Sequence, residues 1–461
     1  MILNIGRLVQ NKFSLKTFVT AGHSRSIKAK KNILALFFIK GISIATSFIL
    51  VPLTINYLTP VNYGIWLTLY SIISWFGLLD IGLGNGLRNK FAEAIAKDDK
   101  KSARIYLSTA YAILAIIMGA ACLLFFLLNH FFNWSQILNV STIKAVELGK
   151  LAGIVFGFFC MQMVVKLISS VLLAIQKTAL SGAINTICSI ISLLVIYILT
   201  KTTSGSLIYL AISIGLINIA VPLLVSFWFY HYSFRDYSPS WKYVDFAYAK
   251  GLMNLGWMFF LFQSTALIVV ATDNIIISQL FSPADVTPYN IALKYFTPIT
   301  LVFSLISAPL WSAYTESYAQ KDMEWIKRIT NKMMRIWLLI FVAAIPMVIL
   351  SDFAYGIWVG NQIKISMSLT IMIAIFVLLS SWNQIFGNFI NGVGKLRLGF
   401  YLTIFTALVN IPLSIFLAKY AGFGVAGIMA ASCISLLPDI IFMPIQYFKI
   451  VNNKATGIWN K

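Results

Sequence analysis

From Asn32 to the carboxyl end, apolar stretches of about 20 residues recur with only short polar breaks between them. That is the length an α-helix needs to cross the hydrocarbon core of a bilayer. Lipid offers the backbone no hydrogen-bond partner, so only helices and closed barrels can span it. Continuous apolar runs, as opposed to strict alternation, select helices. Of the 461 residues, 59% are hydrophobic and 11% charged, with mean hydropathy +0.86. A soluble domain carries about 25% charge. The chain therefore reads as an all-α integral membrane protein with no soluble domain.

The runs predict about twelve spans. The first six are Ile33–Tyr57, Tyr63–Leu87, Ile105–Leu128, Leu148–Ala174, Thr178–Thr200 and Ser206–Tyr230. The second six are Leu252–Leu280, Asn290–Ala313, Lys332–Ile357, Met367–Asn391, Leu398–Ala418 and Gly424–Phe448. A net charge of +21 would suit a nucleic-acid binder, but its placement argues otherwise. Basic residues crowd the amino-terminal tail (Arg7 to Lys31) and the loops after spans two (Arg88 to Arg104), six (Arg235 to Lys250) and eight (Lys321 to Arg335). The alternate loops hold none or a single lysine: Lys144, Lys201, Lys364 or Lys419. This is the bias of cytoplasmic loops, so both termini are expected in the cytoplasm and the span count is even.

The chain also repeats itself. Asn56–Pro60 matches Gln279–Pro283 and Glu93–Ala96 matches Glu316–Ala319, each at an offset of 223 residues. Gln162, Lys166 and Ser169 correspond to Gln384, Asn388 and Asn391 at an offset of 222. Six spans per half give the halves one orientation, a parallel repeat typical of secondary transporters with a site between the halves. The expected plan is two parallel six-helix lobes around a central cavity. A basic tail (1–32) precedes an N-lobe (33–230); a linker (231–251), a C-lobe (252–448) and a short tail (449–461) follow. The first tail mixes apolar and basic residues, as an interfacial helix or a disordered topology signal would.

Ionisable residues inside spans cost about 2.5–3.5 kcal/mol each and so normally face protein or water. Here they are Lys40, Asp80, Lys166, Asp273, Lys294 and Asp439. Lys40, Ser43 and Ser47 share one helix face, as do Gln162 and Lys166. Gln384, Asn388 and Asn391, beside Trp382, form the equivalent stripe of span ten. Stripes from spans one, four and ten, with Lys294, would make a cavity that is cationic on one side and amide-rich on the other. Lysines suit phosphates, while amides and aromatic faces suit sugar rings. The competing reading of each lysine is snorkelling toward the headgroups. Asp80, Asp273 and Asp439 read either as structural ion pairs or as sites coupled to an ion. No phosphate-cradling glycine motif occurs, and His23, His130 and His231 lie apart from any carboxylate pair, so no enzyme, metal or cofactor is expected. The scattered Cys122, Cys160, Cys188 and Cys433 read as core or lipid-facing residues.

Val51–Leu58 followed by Tyr63–Trp66, and then Leu79–Asn89, resembles the opening of polysaccharide-export membrane proteins. Asp273–Ile277 and Tyr289–Tyr295 are similar to the opening of that family's second half. The family is the O-antigen repeat-unit flippases, in the polysaccharide transporter branch of the multidrug/oligosaccharidyl-lipid/polysaccharide exporter superfamily. The resemblance implies alternating access and an undecaprenyl-pyrophosphate-linked oligosaccharide carried from the cytoplasmic to the periplasmic leaflet of a bacterial inner membrane. It also implies coupling to H+, Na+ or the membrane potential, a single chain as working unit, and a polysaccharide polymerase and chain-length regulator as pathway partners. Two other readings compete: a multidrug or cation antiporter of the multidrug and toxic compound extrusion type, and a membrane polymerase or sugar transferase.

Overall fold

The structure, a computed structural model, describes residues 24–80, 82–141, 143–253, 271–307 and 310–460, and every regular element among them is a helix. In the first half these are α1 (Ser24–Leu58), α2 (Pro60–Ser74), α3 (Leu83–Ala96), α4 (Lys100–Asn129), the short α5 (Trp134–Ile137), α6 (Ala145–Val165), α7 (Leu167–Ala174), α8 (Thr178–Thr202) and α9 (Leu207–Trp228). The second half has α10 (residues 271–280), α11 (Pro283–Tyr295), α12 (Thr297–Ser307), α13 (Leu310–Ala319), α14 (Met323–Ile349), α15 (Ser351–Val359), α16 (Met367–Val393), α17 (Arg397–Ile415), α18 (Gly424–Ser435) and α19 (Leu437–Val451).

Among the described residues nine helices are long and apolar enough to cross a membrane, or eleven when two bent pairs each count as one span. The predicted seventh span runs through residues 254–270, outside the described residues, as does the tail from Met1 to His23 with its expected interfacial helix. The helix of span one extends back to Ser24, into the basic stretch.

Three predicted spans differ from the observed helices. Span two is not one rod: α2 ends in a 3-10 turn, Trp75–Asp80, and α3 starts after Gly82, whose φ of 72° breaks the α-helical path. Span eight starts earlier than Asn290, at Pro283, where proline's fixed φ suits a first helical turn. It then bends by 43° between α11 and α12, where Pro298 has no N–H to continue the ladder. Span nine also starts earlier, with Asp322 capping the Trp325 N–H at 2.9 Å, so Lys327 to Arg335 lie on helix and not in a loop.

The internal repeat survives as matched helix starts. Pro60 and Pro283 open α2 and α11, and Asp99 and Asp322 cap α4 and α14, each pair 223 residues apart. Within each half, neighbouring helices pack through apolar faces; α1 lies on α8, α6 on α4 and α9, and α16 on α13, α14 and α18. The segment between the halves is tied to the basic end of α4. Thr109 accepts from the Asp245 N–H at 3.0 Å, Ser108 from that of Ser240 at 3.0 Å, and Arg104 donates to the Ser238 carbonyl at 2.9 Å. Lys100 pairs with Asp236 at 2.8 Å and holds that carboxyl below the usual carboxylate range.

Candidate functional site

The two halves meet at the end of the molecule that carries the charge-poor loops. There α2 crosses α11 so closely that a Cβ on Gly64 would sit 1.7 Å from the Pro283 carbonyl oxygen. Thr287 donates to the Pro60 carbonyl at 2.7 Å. Asn274 donates to Ser71 Oγ at 2.8 Å and accepts from Asn290 at 2.8 Å. The loop beyond α5 adds a second seam, with Asn139 donating to the Ser278 carbonyl at 2.9 Å and Ser278 to that of Leu138 at 2.9 Å. On a third side Trp358 of α15 stacks on Phe48 of α1 and donates to its carbonyl at 2.8 Å. Every side-chain hydrogen bond between helices of the two halves, among the described residues, falls in this charge-poor region. These bonds tie the lobes at the charge-poor end; at the basic end α3 also meets the start of the second half, where a Cβ on Gly86 would fall 2.0 Å from the Leu252 carbonyl oxygen. Thr59, at the elbow between α1 and α2, holds φ at 87°, a strained value for a β-branched residue, where the latch begins.

Depth along the helices orders the predicted site residues. At about 1.5 Å per residue from the latched end, Lys40, Gln162 and Gln384 lie about 26 Å down, Lys166 and Asn388 about 32 Å, and Asn391 about 36 Å. The polar stripes of spans one, four and ten therefore reach a common level toward the basic end. Lys294 does not join them. The early start of α11 places it about 16 Å from Pro283, near the middle of a core about 30 Å thick, and not near the outer end as the predicted span boundary implied. It is half-buried in the last turn before the 43° bend and makes no hydrogen bond or ion pair among the described residues.

The other candidates have defined surroundings. Lys40, Ser43 and Ser47 are half-buried. Lys166 is exposed at the break between α6 and α7 and attracts Asp80, whose carboxylate also accepts the Gly84 N–H at 3.2 Å. Asp80 therefore caps α3 across the break in span two while facing a cation from span four. Replacing Asp80 with alanine is expected to cost about 1–2 kcal/mol, the usual loss for a helix cap. A lower melting temperature of the purified protein, with lower export, checks this; an unchanged one rejects the capping role. Asn388 donates to the Ser307 carbonyl at 3.3 Å, and Trp382 packs edge-on against Trp337 and Phe386, so both hold helices together as well as facing their stripe.

Two acids are deeply buried. Asp273 is 3% exposed; Tyr289 Oη donates to its Oδ2 at 2.5 Å and its Oδ1 has no partner. It sits beside Asn274, so this carboxyl belongs to the latch. Asp439 accepts from Thr406 at 3.2 Å, inside a polar seam where Asn410 donates to Ser432 Oγ at 2.9 Å and the Ser435 and Ser414 hydroxyl oxygens are buried without partners. Sequence reasoning missed this seam. Its signal was present, because Thr406 and Asn410 are four apart and Ser432, Ser435 and Asp439 recur at helical spacing. It also missed Ser71, Asn274, Asn290 and Tyr289, single polar residues in apolar runs with no periodic pattern to mark them.

Comparison with known proteins shows which folds and sequences the chain resembles. A family profile named MatE matches residues 258–416. The fold resembles an inward-facing multidrug resistance MATE family transporter of the MOP superfamily, with TM-score 0.74 and 13% identity over 92% of this chain and 100% of that one. Its outward-facing conformation scores 0.64 over 92% and 96%. Another solved relative in fold, a MOP superfamily transporter from Pyrococcus furiosus described as having a binding pocket of reverse polarity, also scores 0.64, with 15% identity over 93% and 97%. The fold is therefore that of the MATE-like transporters, and the sequence match to their family profile lies in the second half of the chain. In sequence the chain is similar to curated proteins named for O-antigen transport. A Salmonella typhi protein named provisionally as an O-antigen transporter is 24% identical over 84% of this chain and 88% of its own. A Yersinia pseudotuberculosis protein named provisionally as an O-antigen export protein is 22% identical over 77% and 81%.

Proposed function

We propose that the chain is a flippase for a polyprenyl-pyrophosphate-linked oligosaccharide, taken up at the basic end and delivered to the opposite leaflet by alternating access. The observation that carries this reading is the half-buried Lys294 at the bend of span eight, without a hydrogen bond or ion pair among the described residues. A cation kept inside the membrane without a counter-ion suits an anionic cargo, and the amide stripe of α16 suits its sugars. The names of the curated relatives support the same cargo. In this reading the basic end faces the cytoplasm of a bacterial inner membrane, with both termini there. Lys40, Ser43, Ser47, Gln162, Lys166, Trp382, Gln384, Asn388 and Asn391 line the entrance. Asp273 or Asp439 carries the coupling ion, H+ or Na+, unless the membrane potential alone drives the cycle. One chain suffices, because the path lies between its own halves, and the cargo passes to a polymerase with its chain-length regulator.

Deleting the gene and analysing lipid-linked intermediates tests this. Complete repeat units should accumulate on the carrier lipid on the cytoplasmic side. Loss of their synthesis would reject the flippase reading, and unchanged intermediates with altered drug sensitivity would favour the multidrug antiporter.

A further inference from the structure

At the latched end, on the outer flank of the N-terminal half, the end of α4 and the start of α6 enclose a pocket of ≈ 610 Å³ roofed by α5. It is separate from the path between the lobes. Its walls are apolar and aromatic, including Phe126, Phe132 and Trp134, and its mouth carries Lys150 and His130. Gly149, Gly153 and Gly157 let the Trp134 and Phe126 rings pack directly on α6, a Cβ on Gly153 falling 3.1 Å from the Phe126 ring, so these rings form the wall of the groove. The groove continues into a belt facing lipid, where Leu123, Leu127 and Phe131 are 70, 71 and 79% exposed. Trp134, half of the roof, is fixed by donating to Asn129 at 2.7 Å, and Asn129 donates to the Gly149 carbonyl at 3.0 Å.

We propose that this groove binds one anionic phospholipid of the surrounding leaflet, its phosphate on Lys150 and His130 and an acyl chain against the Phe126, Phe132 and Val146 side chains. Charge selects the headgroup. Lys150 is exposed and makes no ion pair among the described residues, not even with Glu147 one turn earlier. The amino-terminal end of the 21-residue α6 adds its positive dipole at the same mouth. A basic side chain at the membrane surface favours anionic over zwitterionic lipid, and an apolar trough below it favours an acyl chain over a free phosphate.

Native mass spectrometry of the purified full chain, supplied with phosphatidylglycerol or phosphatidylcholine of matched chains, tests this directly. One phosphatidylglycerol per chain should be retained in preference to phosphatidylcholine. Lys150→Gln, at an exposed position, should weaken that retention roughly fivefold, and Lys201→Gln, at the same end of the molecule but away from the groove, should leave it unchanged. Val146→Trp, at an exposed position lining the groove, should fill it and remove retention of both lipids. Equal retention of the two lipids would overturn the proposal. So would equal losses in Lys150→Gln and Lys201→Gln, or preferential retention of a polyprenyl phosphate when it competes with phosphatidylglycerol.

Discussion

Replacing Gly64 with leucine is expected to abolish transport while leaving the protein folded in the membrane. Gly64 lies where α2 and α11 touch backbone to backbone, and a Cβ there would fall 1.7 Å from the Pro283 carbonyl oxygen. Nothing flexible can yield, since the obstacle is main chain at the first turn of a helix. The contact lies between halves, so the halves can relieve it by parting. Elsewhere on α2, Ile65, Leu69 and Ile73 are fully buried, and leucine is a better helix former than glycine by nearly 1 kcal/mol. The substitution should therefore destabilise one conformation, the one latched at the charge-poor end, and not the fold. Overpacking of this kind costs about 1–3 kcal/mol even where side chains can adjust; against backbone the shift in population should exceed roughly 100-fold. Ser71→Cys, in a background without the native cysteines, reports the result, because Ser71 is buried in the latch. Its labelling by an impermeant thiol reagent added from the charge-poor side should speed up when Gly64→Leu is present. Unchanged labelling together with normal export would show that the latch does not open during transport.

Much of this architecture was legible in the sequence, because bilayer thickness and backbone hydrogen bonding leave an apolar chain few choices. Run lengths placed most spans, and the 223-residue register reappears as two pairs of helix starts with the same capping residues. What the runs could not place were the breaks. Span two contains Gly77, Gly82, Gly84 and Gly86, any of which could bend a helix; the conformation of Gly82 and the carboxylate of Asp80 decide which one does. Hydropathy likewise set the start of span eight too late, because Ser282, Asp285 and Pro288 look like loop although Pro283 can begin a helix. That error displaced Lys294 toward the surface.

The polar residues divide in the same way. Stripes repeated at helical spacing, such as Gln384, Asn388 and Asn391, are visible in sequence because periodicity marks them. The latch is not, because Ser71, Thr287 and Asn274 are each isolated in their own helix and become a group only through the packing of α2 against α11. A polar stripe can be read from one helix at a time, but a contact between lobes exists only between two, and the proposed alternating access would have to break contacts of that second kind.

Lys294 separates a cargo site from a structural one most sharply. Replacing it with methionine keeps the apolar stem and removes the charge. A lysine that supported the fold would have a carboxylate or carbonyl partner, and its loss would destabilise the protein. Lys294 makes no such bond among the described residues, and an unpaired cation near the membrane middle costs about 2.5–3.5 kcal/mol to hold. Lys294→Met should therefore leave thermal stability equal or raised. If the ammonium meets a phosphate of the cargo, the lost charge-assisted bond is worth about 1.5–3 kcal/mol, or roughly 10- to 150-fold in transport rate. Lys294→Arg should retain part of that rate, because it keeps the charge, but the planar fork replaces a point charge at a bend with little room. Flipping of a fluorescent polyprenyl-pyrophosphate sugar in proteoliposomes, set beside melting temperature, distinguishes the cases. A rate within twofold of the unsubstituted protein would remove Lys294 from the cargo path, and a fall in rate matched by a fall in melting temperature would make it structural. On the proposed function, a pyrophosphate held by Lys294 would leave the sugars to the amide stripe of α16, so Gln384→Ala should weaken transport less than Lys294→Met does in the same assay.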